Sequence, residues 1–296
     1  MWRLRPTLDY EGRIYRPPSE ARSIILQATV GCSHNKCIFC ESFMDKSYRL
    51  KDMAVVEADI EKAAALFPEI DKVFIADGDA LRMPMRRWER ILSLIAEKLP
   101  AVKRVGAYST GTAVRKKSDE DLNRLKEKGL GILYLGVESG DDKTLSYIRK
   151  DSNSQELLDA GRRIMGAGIA LSVTILLGIA PPGSEKDHPT NTGRLLTAMD
   201  PDFVGVLSVM VCEGTELSAL VERGLHRVPD AMGYLSELRL MLENTHMSHG
   251  LFMSNHASNY LPLRIKMPGE REGALALLAD ALGDKVSLRP EERRML

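Results

Sequence analysis

Short apolar or β-branched runs alternate with longer amphipathic stretches along most of this chain. The runs predict strands over 23–29, 73–76, 104–108, 132–137, 171–177 and 203–211. Between them, apolar residues recur at the 3.6-residue period of a helix with one buried face. Val56, Ile60, Ala63, Ala64 and Phe67 form one such set, Trp88, Ile91, Leu92 and Ile95 a second, and Leu157, Gly161, Ile164 and Met165 a third. Ser118, with Asp121 three residues on, and Ser154 stand where N-caps are expected. Six successive β–α units imply a parallel sheet, because parallel neighbours need crossover connections and helices supply them. An open doubly wound sheet and a full or partial TIM-type barrel both satisfy this pattern. In either, chemistry belongs at the C-terminal ends of the strands.

The rhythm divides the chain into three parts. Residues 1–21, ending in YRPPSEA, read as an extended lead-in, since consecutive prolines resist both helix and central strand. Residues 22–228 hold the β–α units. In 229–296 a helix is expected around Leu235, Leu238 and Leu242, then the polar stretch SNHASNYLPLR, then a helix through Leu275, Leu278 and Leu282 stopped by Gly283. This last part is expected to close the barrel or cover its mouth. The fold expectation is therefore an α/β partial (β/α)6 barrel with a C-terminal helical extension.

Charge narrows the function classes. Lys plus Arg and Asp plus Glu each number 41, so the 296-residue chain is formally neutral. A dedicated nucleic-acid binder carries a basic excess, because phosphate neutralisation supplies most of its affinity. Only local patches such as Arg86-Arg87 remain for that purpose. No apolar run is long enough to cross a bilayer, and the opening MWRLRPTLDY lacks the apolar segment of a signal peptide. A cytoplasmic location with no membrane partner is expected. Four cysteines are too few for a disulfide scaffold, and clustered thiols in a reducing compartment bind metal.

Three of the four fall in TVGCSHNKCIFCESF, where Cys32, Cys37 and Cys40 form C-x4-C-x2-C just after the first strand. A structural zinc site needs four ligands, and His34 would have to fold back inside the loop to complete one. Plant-type ferredoxins share the spacing but add a fourth cysteine, and here Cys212 is the only candidate. Three unliganded core cysteines fit poorly with the polar residues Ser33, His34, Asn35 and Lys36 around them. A four-iron, four-sulfur cluster with three protein ligands keeps one iron open, as a catalytic metal does.

The segment resembles the cluster-binding loop of the radical S-adenosylmethionine (radical SAM) superfamily, whose pattern is C-x3-C-x-Φ-C with an aromatic before the last cysteine. Phe39 matches the aromatic, and the first gap is one residue longer. The later strand ends extend the resemblance. Asp77-Gly78-Asp79 looks like the motif that receives the methionine ammonium, with Asp79 as its acid. Glu138 and Ser139 stand where the family contacts the ribose hydroxyls or the amino group, and Leu177-Gly178 where it contacts adenine. Ser109 is a further polar candidate. The run from Gly136 to Gly178 is most similar to the branch containing the Elongator catalytic subunit, methylthiotransferases and oxygen-independent coproporphyrinogen oxidase.

The resemblance implies a 4Fe-4S cluster held by Cys32, Cys37 and Cys40, with S-adenosylmethionine (AdoMet) chelated by the open iron. It also implies an external one-electron reductant of flavodoxin or ferredoxin type, and hydrogen abstraction by a 5′-deoxyadenosyl radical. The chain has no second cysteine trio of the methylthiotransferase kind, and a small-molecule substrate is expected over nucleic acid. Cys212 is a candidate hydrogen donor or ligand, or a buried apolar residue. Asn255, His256, Ser258, Asn259 and Tyr260 suggest a polar lid, with His256 a catalytic candidate and Asn255, Asn259 and Tyr260 substrate contacts, or a self-satisfied turn. His246 and His249 are read as solvated side chains. An iron–sulfur carrier or redox sensor and a structural zinc protein are the competing readings; neither accounts for the strand-end acids.

Overall fold

The computed structural model describes residues 8–295; residues 1–7, where the expected lead-in starts, and residue 296 lie outside the described residues. The chain opens with β1 (Ile24–Gln27), β2 (Thr29–Val30), β3 (Arg49–Leu50), α1 (Met53–Leu66) and β4 (Lys72–Ala76). Next come α2 (Met85–Lys98), β5 (Arg104–Ser109), α3 (Gly111–Arg115), α4 (Asp119–Glu127) and β6 (Leu130–Glu138). They are followed by α5 (Asp142–Tyr147), α6 (Ser154–Gly166), β7 (Ala170–Leu177), α7 (Asp187–Met199) and β8 (Phe203–Ser208). The chain continues through α8 (Glu216–Glu222), α9 (Ala231–Glu243), β9 (Leu251–Met253), β10 (Arg264–Lys266) and α10 (Arg271–Leu282).

Eight strands make one sheet in the order β1-β4-β5-β6-β7-β8-β9-β10, while β2 and β3 form a separate antiparallel ladder. The pairs β1–β4, β4–β5, β7–β8 and β8–β9 are parallel and β9–β10 is antiparallel. The expected parallel α/β architecture is present, with each of the six predicted strands in place. Two compact units emerge from the contacts. The first comprises the described residues up to Asn35, Ser42–Tyr134 and Gly166–Ile169. The second comprises Lys36–Glu41, Leu135–Met165 and the chain from Ala170 onward.

In the first unit α1 packs on β1 and α2 packs on α1, and together they bury Val56, Ile60, Trp88, Ile91, Leu92 and Ile95. Each such side chain, fully buried, stabilises by about 1.5–3 kcal/mol. Phe74 packs edge-to-face on Tyr108 (4.9 Å) and Tyr134 (5.6 Å). The Ser118–Asp121 capping box opens α4 as expected. Two details differ. Phe67 is the C-cap of α1 and 42% exposed, because the period overruns the helix. The first predicted strand breaks at Ala28, whose carbonyl receives Lys51 N–H, so Thr29–Val30 turns away to pair with β3.

In the second unit β7 and β8 pair from Ser172↔Phe203 to Leu177↔Ser208, burying Val173, Ile175, Val204 and Val206. The run predicted to reach 211 ends there, and Val211 is exposed. Ser154 is not the cap of α6: Asn153 Oδ1 accepts from Glu156 N–H (2.9 Å) and Glu156 Oε2 accepts from Asn153 N–H (3.0 Å). The pair Asn153–Glu156 has the capping-box spacing that Ser154 lacks. Helices α9 and α10 occur as expected, but the polar stretch between them is flanked by β9 and β10, which extend the sheet.

Candidate functional site

In the first unit the start of the cysteine loop is fixed by Asp77, the residue after β4. Its Oδ2 accepts from Gly31 N–H (3.2 Å), Gln27 Nε2 (3.2 Å) and Lys46 Nζ (3.0 Å). Burial raises the Asp77 carboxyl above the usual range, and the Lys46 ammonium and the Gly31 and Gln27 donors offset part of that shift. Gly78 has to be glycine: a Cβ would lie 2.5 Å from the Phe43 ring and 3.0 Å from Cys32 Cβ. Asp79 is fully buried; its carboxylate accepts from Thr110 N–H (3.2 Å), Thr110 Oγ1 (3.3 Å) and the Ser33 hydroxyl. Ser109, at the end of β5, is buried with no hydrogen-bond partner for its hydroxyl among the described residues. The Tyr48 phenol, also without one, is pushed well up by burial and then by Asp79, with Cys32 adding to the shift.

In the second unit the rest of the loop hangs on Ile38, which is buried. Its N–H bonds Ile148 O (3.2 Å) and its carbonyl accepts from Leu217 N–H (2.9 Å), so Cys37, Phe39 and Cys40 flank a clamped residue. Cys40 N–H closes the turn onto Cys37 O (3.2 Å). Glu138, the last residue of β6, has φ +65°, a left-handed conformation that disfavours residues other than glycine. Its Oε1 receives Lys150 Nζ (3.1 Å), and both side chains are buried. Gly136 leaves the room, since a Cβ there would lie 2.5 Å from Glu138 Oε1. Burial lowers the Lys150 ammonium, but Glu138, Cys37 and Asp151 outweigh it and hold it above its ordinary value.

Ser139 is fully buried, with Oγ 2.7 Å from His188 Nδ1. Leu177 is buried, and Gly178 turns the chain at φ +75°. A Cβ on Gly178 would lie 2.6 Å from Tyr234, so packing alone requires glycine here. Gly178 N–H donates to both Glu237 oxygens (3.0 Å each), and its carbonyl accepts from His226 Nε2 (3.1 Å).

A family model described as the radical SAM superfamily matches residues 26–187, more than half of the chain. The chain belongs to the radical SAM superfamily. It is 23% identical to an uncharacterised protein of Methanocaldococcus jannaschii, over 81% of this chain and 76% of that one. It is also 23% identical to a putative methylthiotransferase of the same organism, over 67% and 44% of the two chains. Its fold resembles coproporphyrinogen III oxidase HemN from Escherichia coli, a radical SAM enzyme, with TM-score 0.54 and 12% identity over 75% and 53%. The chain thus spans about half the length of the latter two, which fall in the branch the sequence resembles. The protein is a radical SAM enzyme, whose family cofactors are a 4Fe-4S cluster and AdoMet and whose chemistry needs an external reductant.

The donor set fits that cluster: Cys32, Cys37 and Cys40 are half-buried thiols outside any disulfide. Among the described residues no three His, Cys, Asp or Glu side chains form a group for a single metal ion. A four-iron cluster asks for a different arrangement, one thiolate per iron. Cys212 is also half-buried; its thiol faces Met210 O (3.5 Å) and is pushed up by burial, then by Glu41 and Cys40.

The remaining candidates lie in the second unit. Asn259 is buried, its Oδ1 accepting from Ser208 Oγ (2.8 Å) and its Nδ2 donating to Val206 O (2.7 Å) and Ser254 O (2.8 Å). His256 Nδ1 accepts from Ser258 N–H (3.2 Å), and burial and Arg289 lower its pKa. Tyr260 meets Glu291 and Arg294 Nη1 (2.8 Å), while Asn255 is exposed. His249 faces Asp200 (3.4 Å) and Asp202 (3.6 Å) at the surface. Sequence reasoning missed Gln27, Lys46, Lys150, His188 and Glu237. Each acts on a motif residue too distant in sequence to form a spacing pattern.

Proposed function

We propose that this radical SAM enzyme cleaves AdoMet reductively and takes hydrogen from a small molecule. Cys32, Cys37 and Cys40 are assigned one iron each, and Asp79, with the backbone of Asp77 and Gly78, the methionine ammonium. Glu138 and Ser139 are assigned the ribose, Leu177 and Gly178 the adenine, and Ser109 a further polar contact. With AdoMet bound, the reduced cluster supplies a 5′-deoxyadenosyl radical, the electron coming from a flavodoxin- or ferredoxin-type donor. The protein's part is to bind, orient and exclude water. Lys150 is a buried ammonium whose charge is felt by both Glu138 and Cys37. The Lys150 ammonium, 3.1 Å from Glu138 Oε1, fixes the position of that carboxylate.

The observation that carries the reading is the family match over 26–187 together with three thiols outside any disulfide. Formal neutrality supports a small molecule over nucleic acid. Anaerobic reconstitution with iron and sulfide, then dithionite and AdoMet, tests it, with 5′-deoxyadenosine followed by mass spectrometry. The expected result is release by the natural protein and only background from Cys40→Ala. A full cluster that leaves AdoMet intact would favour an electron carrier or sensor, and stoichiometric zinc with no cluster would sink the assignment.

A further inference from the structure

The segment that follows the third cysteine turns back onto the first. Lys46 N–H donates to Phe43 O (3.1 Å), closing a turn over residues 43–46. Asn35 holds that turn from within the cysteine loop, its Nδ2 donating to Phe43 O (2.8 Å) and Lys46 O (3.2 Å). It does so at φ +46°, a left-handed conformation that asparagine adopts more readily than most residues. Asn35 stands between Cys32 and Cys37, in the gap that is one residue longer than the family spacing. Lys46 ties the far end of the turn, its Nζ meeting Asp77 Oδ2 at 3.0 Å.

The turn seats Phe43 against Cys32. Both converge on one side of Gly78, where an added Cβ would lie 2.5 Å from Phe43 Cε2 and 3.0 Å from Cys32 Cβ. Tyr15 packs edge-on against the Phe43 ring, with centroids 5.9 Å apart, and the Lys46 ammonium stands 5.7 Å from the ring centre. Phe43 is buried, whereas Met44 and Asp45, next in the chain, are exposed. The ring is thus the buried apolar face of a surface turn, laid against the first cysteine. An oxidised four-iron core held by three thiolates is already an anion, and the electron destined for AdoMet enlarges its charge. Water beside such a group favours the larger charge, and an apolar ring in its place disfavours it. We infer that Asn35 and Phe43 together screen the Cys32 corner of the cluster, Asn35 as the positioning residue and Phe43 as the screen, keeping water off and the reduction potential low. This rests on the assignment of Cys32 to an iron.

The test is the midpoint potential of the reconstituted cluster without AdoMet, followed by the paramagnetic resonance signal of its reduced form. Iron and sulfide are counted in the same samples. Phe43→Ala is expected to shift the midpoint upward and to speed iron loss to a chelator roughly tenfold, as water and chelator reach the opened corner. Phe43→Met keeps apolar bulk and should reverse most of both changes. Asn35→Gly tolerates the left-handed backbone but lacks both donors. It should shift the midpoint in the same direction by less, since Lys46 N–H still closes the turn. A merely structural role would lower the urea midpoint of the cluster-free variants and leave the potential of intact clusters unchanged, and would overturn the inference. So would a shift in Phe43→Met as large as that in Phe43→Ala. An unchanged potential in Asn35→Gly overturns the part given to Asn35 and, where Phe43→Ala assembles no cluster, the inference as a whole. A natural protein that takes up no cluster overturns the assignment of Cys32, and this inference with it.

Discussion

Replacing Gly178 by alanine separates two reasons for a glycine that are usually confounded. At φ +75° an L-residue is held in the left-handed region, which costs about 1–2 kcal/mol. The added methyl would also lie 2.6 Å from Tyr234 Cε1, 2.9 Å from its hydroxyl and 3.0 Å from Pro229 Cδ. Tyr234 has little freedom to yield: it is 2% exposed and its hydroxyl donates to Val209 O (2.9 Å). Overpacking of this kind costs about 1–3 kcal/mol, giving a total of about 2–5 kcal/mol for Gly178→Ala. Gly224 supplies the control, with φ +69° and nothing within 4 Å of its would-be Cβ. Gly224→Ala should therefore show the backbone part alone, about 1–2 kcal/mol. Urea unfolding of both variants measures the difference, read as a shift in midpoint at constant slope. If Gly178→Ala is no more destabilising than Gly224→Ala, Tyr234 gives way freely and the packing argument fails.

Glu138→Gln leaves the buried Lys150 ammonium without its counter-charge, and a loss of about 3–5 kcal/mol is expected by urea unfolding. Adding Lys150→Met should recover much of it, and failure to recover any would mean the pair is not the cause. Burial lowers the pKa of His226 despite its bond to the Gly178 carbonyl and the charge of Glu237. Because the folded value lies below the unfolded one, the stability it contributes is present above about pH 6.5 and is lost as pH falls toward the folded value. The Tm of the natural protein, minus that of His226→Gln at each pH, should fall between pH 7 and 5, and a flat difference would refute the assignment. His256, also lowered, contributes to both proteins alike and cancels.

Strands buried in a parallel sheet read as apolar runs without needing a partner, which is why 73–76, 104–108, 132–137 and 171–177 were legible. Strands β9 and β10 were not, because three residues form no period. Asn153 was legible in principle through Glu156 three positions on, but Ser154 caps equally well by residue type alone. The cysteine loop was legible because its ligand types and spacing are local. Its supports were not: Lys46 and Gln27 reach Asp77 across 31 and 50 positions, and neither residue type announces such a role.

The same asymmetry bears on what the proposed extension 229–296 does. Its sequence shows a helix with a leucine face, and that pattern says only that one side is buried. In the fold, α9 also turns Tyr234 and Glu237 onto Gly178, one filling the space beside its Cα and the other taking its N–H. Strand β9, from the same region, completes the parallel pairing of β8 through Phe203↔Leu251, Val204↔Phe252 and Gly205↔Met253. A segment that only covered a site would contact it through side chains at the mouth. This one supplies backbone pairing to one strand and the hydrogen-bond acceptor at the end of another. The geometry of the motif at Leu177-Gly178 is therefore written partly in residues some sixty positions later, beyond the reach of any motif.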